Sequence, residues 1–474
     1  MSKSYSLLVS AMAGAAVLAL EVLAARVMAP FLGSGPVTWA AMLACALGML
    51  AIGNVLGGFL CDRARPAGTI AWSLIVAVAC LVGLSHGYKP AIEWTASYSL
   101  VISALLAALI TQAVPLIMLG AVTPVLLGEG HGDTGRWAGF VLAAGSGGGI
   151  AGALTTGIVL IPSMGLSRSF LVIAVGLAFV AIPALWPERR WFGAIALVVC
   201  LASGAWCWQR PVGQTSIESF YGQLEVHETE SGRVLLVDGL PQTGMPDQIM
   251  PGDGLRHGYL LEAALAIRPE VKRTLVIGLG AGLAPRLLAA HDVACESVEI
   301  DPVIVDIARR DFGFTGTVAI GDGRAFVALA TGSYDLIVVD VCTADRLAWH
   351  LFTREAIELL RRRLAAGGLL AIQFIGDDGP WSACLSATVE AVFGRGQTVI
   401  VAPATKSGGV EPRWLFAAEG LPPRLPLELA AVRYGAPWRV LDTPSQGQIL
   451  TDDHFPAEHA WARTANQWRR RYGS

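Results

Sequence analysis

Between positions 334 and 352 the chain reads YDLIVVDVCTADRLAWHLF, an apolar run that stops on one carboxylate, Asp340, before small and polar residues take over. Three segments upstream are built alike. VIGLGAG ends an apolar run on Gly278, Gly280 and Gly282, and CESVEID carries Glu299 in its last positions. TVAIGDGR closes on Asp322 and Gly323. Glycines let backbone approach a ligand without a Cβ clash, beneath a helix N-terminus. An acid about 20 residues beyond such a turn can accept both ribose hydroxyls. Asp322 is placed to accept from an adenine amino group. A lone Gly-rich turn is weak evidence, but a turn and three acids at four successive strand ends point to a nucleoside ligand. For Asp340 the competing reading is a helix-capping acid.

These residues need a scaffold, and the pattern around them supplies one. From 273 onward strand-like and helix-like segments alternate: RTLVIGLGAG, APRLLAAH, CESVEID, PVIVDIARRDF opened by Pro302, TVAIGDG, YDLIVVD, TREAIELLRRRLAAGG and LLAIQF. Such alternation predicts an open parallel α/β sheet that binds ligands at the carboxyl ends of its strands. Residues 212–260 contain short alternating runs with ESG and VDG turn signals, which read as β-hairpins.

The first 210 residues are of another kind. The chain of 474 residues is 54% hydrophobic and 15% charged, and the apolar residues are concentrated in this part. Runs at 5–27, 38–60, 68–86, 98–125, 137–161, 166–186 and 191–208 approach or exceed the length needed to cross a hydrocarbon core of roughly 30 Å. The first run is too long for a cleavable signal peptide and is followed by further spans. The expected division is a transmembrane helical bundle over 1–210, a small β-domain over 211–262 and a Rossmann-like domain over 263–474. Gly53, Gly57 and Gly58, and the glycines of LAAGSGGGIAGALTTG at 142–157, predict close helix packing. Pro115 and Pro124 predict a bent helix. Glu21, inside a span, is expected to pair with Arg26 or to bond a neighbouring helix, the alternative being a substrate-facing role.

A net charge of -3 offers no basic field for nucleic acid. The 8 cysteines form no CxxC pair, so neither a zinc site nor a disulfide framework is expected.

The ordered set YGQLEV, LLVDGLPQTG, VIGLGAG, VEIDP, GDGR, VVD and LFTREAIELL resembles the spermidine synthase (polyamine aminopropyltransferase) family, and the apolar half with LTDDHFPAE is similar to its membrane-embedded members. The resemblance implies an S-adenosylmethionine-methyltransferase-like sheet preceded by a small β-domain. It implies a donor that is decarboxylated S-adenosylmethionine or S-adenosylmethionine, a small amine acceptor, and no metal. Gln242, with Asp238, then matches donor-side positions, Tyr259 matches a tyrosine that orients the acceptor amine, and Asp340 receives the proton of the nucleophile. Three positions depart from the family pattern. Ala281 stands where the turn has an acid. Thr343 replaces a second acid after the fourth strand, leaving Asp345 to substitute. Gly222 precedes Gln223 where the family has the glutamine directly after its tyrosine.

The same sheet accommodates a methyltransferase or a lyase that cleaves S-adenosylmethionine. From another class comes a membrane transporter or sensor with a non-catalytic nucleoside-binding domain. His257 and His350 read as structural, and Asp452 and Asp453 as turn or domain-contact residues. The positive-inside rule favours an inside amino terminus, with Arg63, Arg65 and Arg136 in inner loops, and seven spans would then export the carboxy-terminal domain. A nucleoside co-substrate argues for a cytoplasmic domain on a multi-pass inner-membrane protein, which is the expectation adopted; a homodimer is compatible with it.

Overall fold

The computed structural model describes residues 1–32, 36–63, 66–95, 98, 100–129, 134–185, 216–229, 232–245, 258–341, 347–403, 409–421, 438–441 and 447–454, with isolated positions elsewhere. The chain divides into two compact units, Met1–Phe220 and Tyr221–Ser474.

The first unit is a bundle of long apolar helices: α1 (Lys3–Leu32), α2 (Pro36–Arg63), α3 (Pro66–Thr95), α4 (Leu100–Gly128), α5 (Thr134–Thr155) and α6 (Ile161–Leu185). A π-helical turn, Thr156–Leu160, joins the last two, and a short strand, β1 (Ser216–Glu218), follows in the same unit. Among the described residues, five stretches are long and apolar enough to cross a membrane, the last being Gly135–Ala184 with 50 residues. That stretch breaks at Gly165, whose φ of 75° and ψ of 176° are not helical. The expected runs at 137–161 and 166–186 therefore fall on either side of one glycine. The run at 191–208 lies outside the described residues apart from isolated positions.

Glycine sets the helix contacts. A Cβ on Gly148 or Gly152 would enter the backbone of Ala11 or Ala15, and one on Gly53 or Gly57 would enter that of Ile117 or Ala121. Thus α1 lies directly on α5 and α2 on α4, as small residues permit. Gly58 has open space instead. α4 runs through both Pro115 and Pro124. Arg26 does not turn to Glu21; its guanidinium donates to the Ser219 carbonyl at 2.9 Å and lies 3.5 Å from Glu218. Five residues along a helix are about 140° apart around its axis, so the two side chains leave on different faces.

The second unit opens with the meander β2 (Gln223–Thr229), β3 (Gly232–Val237) and β4 (Leu240–Met245), paired antiparallel. Then come α7 (Gly258–Ile267), β5 (Arg273–Ile277), α8 (Leu283–Ala290), β6 (Ala294–Glu299), α9 (Pro302–Phe312), β7 (Val318–Ile320), α10 (Gly323–Leu329) and β8 (Tyr334–Val339). The remainder is α11 (Arg354–Arg363), β9 (Leu364–Gly376), α12 (Pro380–Phe393), β10 (Thr398–Pro403), β11 (Glu411–Ala417) and β12 (Trp438–Leu441).

The main sheet has the order β12-β10-β11-β9-β8-β5-β6-β7. Strands β7, β6, β5, β8 and β9 are parallel, whereas β11, β10 and β12 extend the sheet antiparallel. The carboxy-terminal unit is thus a Rossmann-like, methyltransferase-type fold. Val276, Ile277, Val338 and Val339 are buried, as expected of strands covered on both faces. Strand order reverses between β5 and β8, and an open sheet of this kind forms its ligand crevice at such a switch point.

Candidate active site

The turn after β5 follows from sterics. Gly278, Gly280 and Gly282 have φ of 97°, 54° and 81°, a region that L side chains disfavour. At Gly278 space is equally decisive, because a Cβ there would overlap the Asp340 carbonyl oxygen. The adjoining strand ends are locked by Asp340 N–H donating to the Ile277 carbonyl and Gly278 N–H to the Val298 carbonyl, both at 2.8 Å.

A cavity of about 340 Å³ opens over these strand ends, and Gly278, Gly280, Glu299, Asp322, Gly323, Asp340 and Gln242 all line it. Its acidic lining consists of Glu299, Asp301, Asp322 and Asp340, His350 stands beside them, and no Lys or Arg is among the described residues that line it. A cavity of this character favours a cationic ligand.

Each carboxylate has its own setting. Glu299, 7% exposed, accepts from Leu279 N–H at 2.9 Å and Asp301 N–H at 3.0 Å, which ties the glycine turn to the end of β6. Burial raises its carboxyl above the ordinary range, against the pull of these donors. Asp322 caps α10 by accepting from Ala325 N–H at 2.8 Å, and its other oxygen meets His350 Nε2 at 2.8 Å. Burial opposes ionisation there, but the Ala325 N–H and the imidazole hold the carboxyl below the usual range. Asp340 is pushed up to about 6, by burial first and then by the Glu299 charge. Such a carboxyl can exchange a proton near neutrality.

Other sequence expectations fare differently. Gln223 donates its N–H to Asp238 at 2.9 Å and is not among the cavity residues; Tyr221, two residues earlier, is. The Tyr221 hydroxyl is raised by burial and by Asp301, Asp322 and Glu299. Tyr259 lies on α7, but its side chain is outside the described residues, as are Thr343 and Asp345. Ala281 is fully buried, so this position presents no carboxylate. His350, read as structural, lines the cavity instead. Gln373 and Trp414 also line it without having been anticipated. Gln373 carried a usable signal, since it is a polar residue interrupting the apolar run LLAIQF.

Residues 255–382 match the family model for the spermine/spermidine synthase domain. This segment is a spermine/spermidine synthase domain. Its bounds contain Gly278, Glu299, Asp322, Asp340, His350 and Gln373, whereas Tyr221 and Gln242 reach the cavity from residues ahead of the synthase domain. A probable polyamine aminopropyl transferase of Bifidobacterium longum is 27% identical over 271 residues, 51% of this chain and 60% of that protein. An N-terminal histidine N-methyltransferase of Emericella nidulans is 39% identical over 127 residues, 25% of this chain and 23% of its own. The chain thus spans three fifths or less of the length of these two relatives. A solved probable spermidine synthase from Corynebacterium glutamicum is similar at a TM-score of 0.45 and 18% identity, covering 51% of this chain and 97% of that one.

Proposed function

We propose that this protein is a membrane-bound aminopropyltransferase-like enzyme that uses decarboxylated S-adenosylmethionine, or S-adenosylmethionine itself, to alkylate an amine. The observation that carries this reading is the convergence of Glu299, Asp322 and Asp340 with Gly278 and Gly280 around one cavity; Gly282, expected with them, is not among its lining residues. Glu299 would hold the ribose, Asp322 the adenine, and Asp340 the reacting amine. The amine nitrogen attacks the carbon beside the sulfonium, the carbon–sulfur bond breaks towards sulfur, and methylthioadenosine leaves. Asp340 takes the proton that the nitrogen sheds. An all-acid charged lining suits both the sulfonium and a cationic amine before it is deprotonated. The apolar helices anchor the enzyme in the membrane, with the synthase domain on the cytoplasmic side.

The Emericella nidulans relative supports a second reading, methyl transfer from S-adenosylmethionine in the same cavity. Incubating the purified protein with each donor and a panel of amines separates the two. Methylthioadenosine among the products supports aminopropyl transfer. S-adenosylhomocysteine alone supports methyl transfer, and neither product contradicts both.

A further inference from the structure

The Asp322–His350 pair is built from outside as well as from within. A carboxylate only accepts, so the His350 Nε2 bonded to Asp322 carries the proton. His350 sits in a single 3-10 turn, Trp349–Leu351, which has little internal hydrogen bonding to fix it. Its anchor is Arg324, two residues after Asp322 in the first turn of α10, whose Nη1 donates to the His350 carbonyl at 3.0 Å. Arg324 is itself gripped by a segment more than a hundred residues away: Asp452 accepts from Nη1 at 2.7 Å and from Nη2 at 2.6 Å.

That segment is stitched down along its length. Leu450 accepts from Arg354 N–H at 2.8 Å and donates its own N–H to Thr388 at 2.9 Å. Asp452 takes a third bond from the Thr353 hydroxyl at 2.8 Å, and its N–H donates to Glu355 at 3.1 Å. The strap thereby holds the α11 end of the peptide after His350 directly and the His350 end through Arg324.

We propose that Asp322 and His350 together read the nucleoside base and that Asp452, through Arg324, is the residue that positions His350 to do so. The inference rests on the nucleoside-binding reading of the cavity. With an imidazole N–H committed to Asp322, His350 fixes the carboxylate so that its remaining lone pairs make that wall rich in acceptors. Such a wall accepts from the exocyclic amino group of adenine and opposes the carbonyl oxygen that hypoxanthine carries there. Arg324 cannot be replaced by lysine, because a single ammonium lacks the planar fork that holds two carboxylate oxygens and a carbonyl together.

The test uses the full chain in detergent and compares the Kd values of methylthioadenosine and methylthioinosine by calorimetry, with methylthioribose as a base-free control. Wild type is expected to prefer methylthioadenosine. Asp452→Asn and His350→Ala should each cut that preference about tenfold, the size of one charge-assisted hydrogen bond, with methylthioribose affinity unchanged. If Asp452→Asn does not fold, Arg324→Lys serves, with the same expectation. A preference retained in His350→Ala, or retained in the Asp452 or Arg324 variant, overturns the inference while leaving the nucleoside reading standing. Wild type that binds neither nucleoside overturns both.

Discussion

Gly278 lies so close to Asp340 that a Cβ on the glycine would overlap the aspartate's carbonyl oxygen. The glycine turn after β5 and the strand end that carries Asp340 are therefore fitted to each other backbone against backbone. Gly278→Ala is expected to push β5 and β8 apart at their carboxyl ends and to add the strain of an L residue at φ 97°. The cost should be about 1–3 kcal/mol in denaturant unfolding, together with lost nucleoside binding. Wild-type stability and affinity in this variant would contradict the geometry.

Asp340→Asn separates binding from chemistry. Removing a positioned base costs about 10²- to 10⁴-fold in turnover, whereas methylthioadenosine affinity should hold. A non-catalytic sensor would show no turnover in the wild type and the same affinity in both.

The pH dependence follows from the raised carboxyl of Asp340. Only the ionised form takes a proton, so kcat/KM should rise with pH through about 6, where this group titrates. Glu299→Gln removes one of the two causes of the shift and should move that limb to lower pH. Stability runs the other way. The folded state holds the Asp340 proton more tightly than the unfolded chain, so the stability this group contributes is present below about pH 4 and lost as pH rises through about 6. Asp340→Asn should therefore raise the melting temperature relative to wild type at pH 7 and not at pH 4.

The acids at the strand ends were legible because each interrupts or closes an apolar run, and a strand covered on both faces tolerates a polar residue only where it opens onto a ligand. Asp340 and Glu299 are such residues. His350 and Tyr221 were not legible. His350 becomes a partner of Asp322 only when a turn 28 residues away folds back on it, and Tyr221 reaches the cavity from the meander. Local spacing misled at Glu21 and Arg26, where proximity in sequence does not mean a shared helix face. The antiparallel extension β11, β10 and β12 escaped a reading that tracked only strand–helix alternation.

That extension holds a buried ion pair. Arg413, 2% exposed, has its guanidinium 3.3 Å from Glu411 and 2.9 Å from Asp378, and Glu411 also meets Arg439. Glu411→Gln should cost about 1.5–3 kcal/mol, because the buried guanidinium keeps Asp378 and loses one of its two carboxylate partners. The double variant Glu411→Leu with Arg413→Met should cost less than the single change. A single variant as stable as wild type would show that the pair contributes nothing.

In the helical unit, Gly148→Val should force α1 off α5, because the new side chain has no space beside Ala11. The purified variant should melt below wild type in detergent. Gly139→Val, at a position with open space, is the control expected to melt with wild type.

The most direct measurement follows one carbon. Decarboxylated S-adenosylmethionine labelled in its aminopropyl chain is incubated with the purified protein and an amine panel, and the products are read by mass spectrometry. The expected result is label in the amine, matched mole for mole by unlabelled methylthioadenosine. Label that stays in intact donor with every amine, under conditions where the donor binds, would contradict aminopropyl transfer.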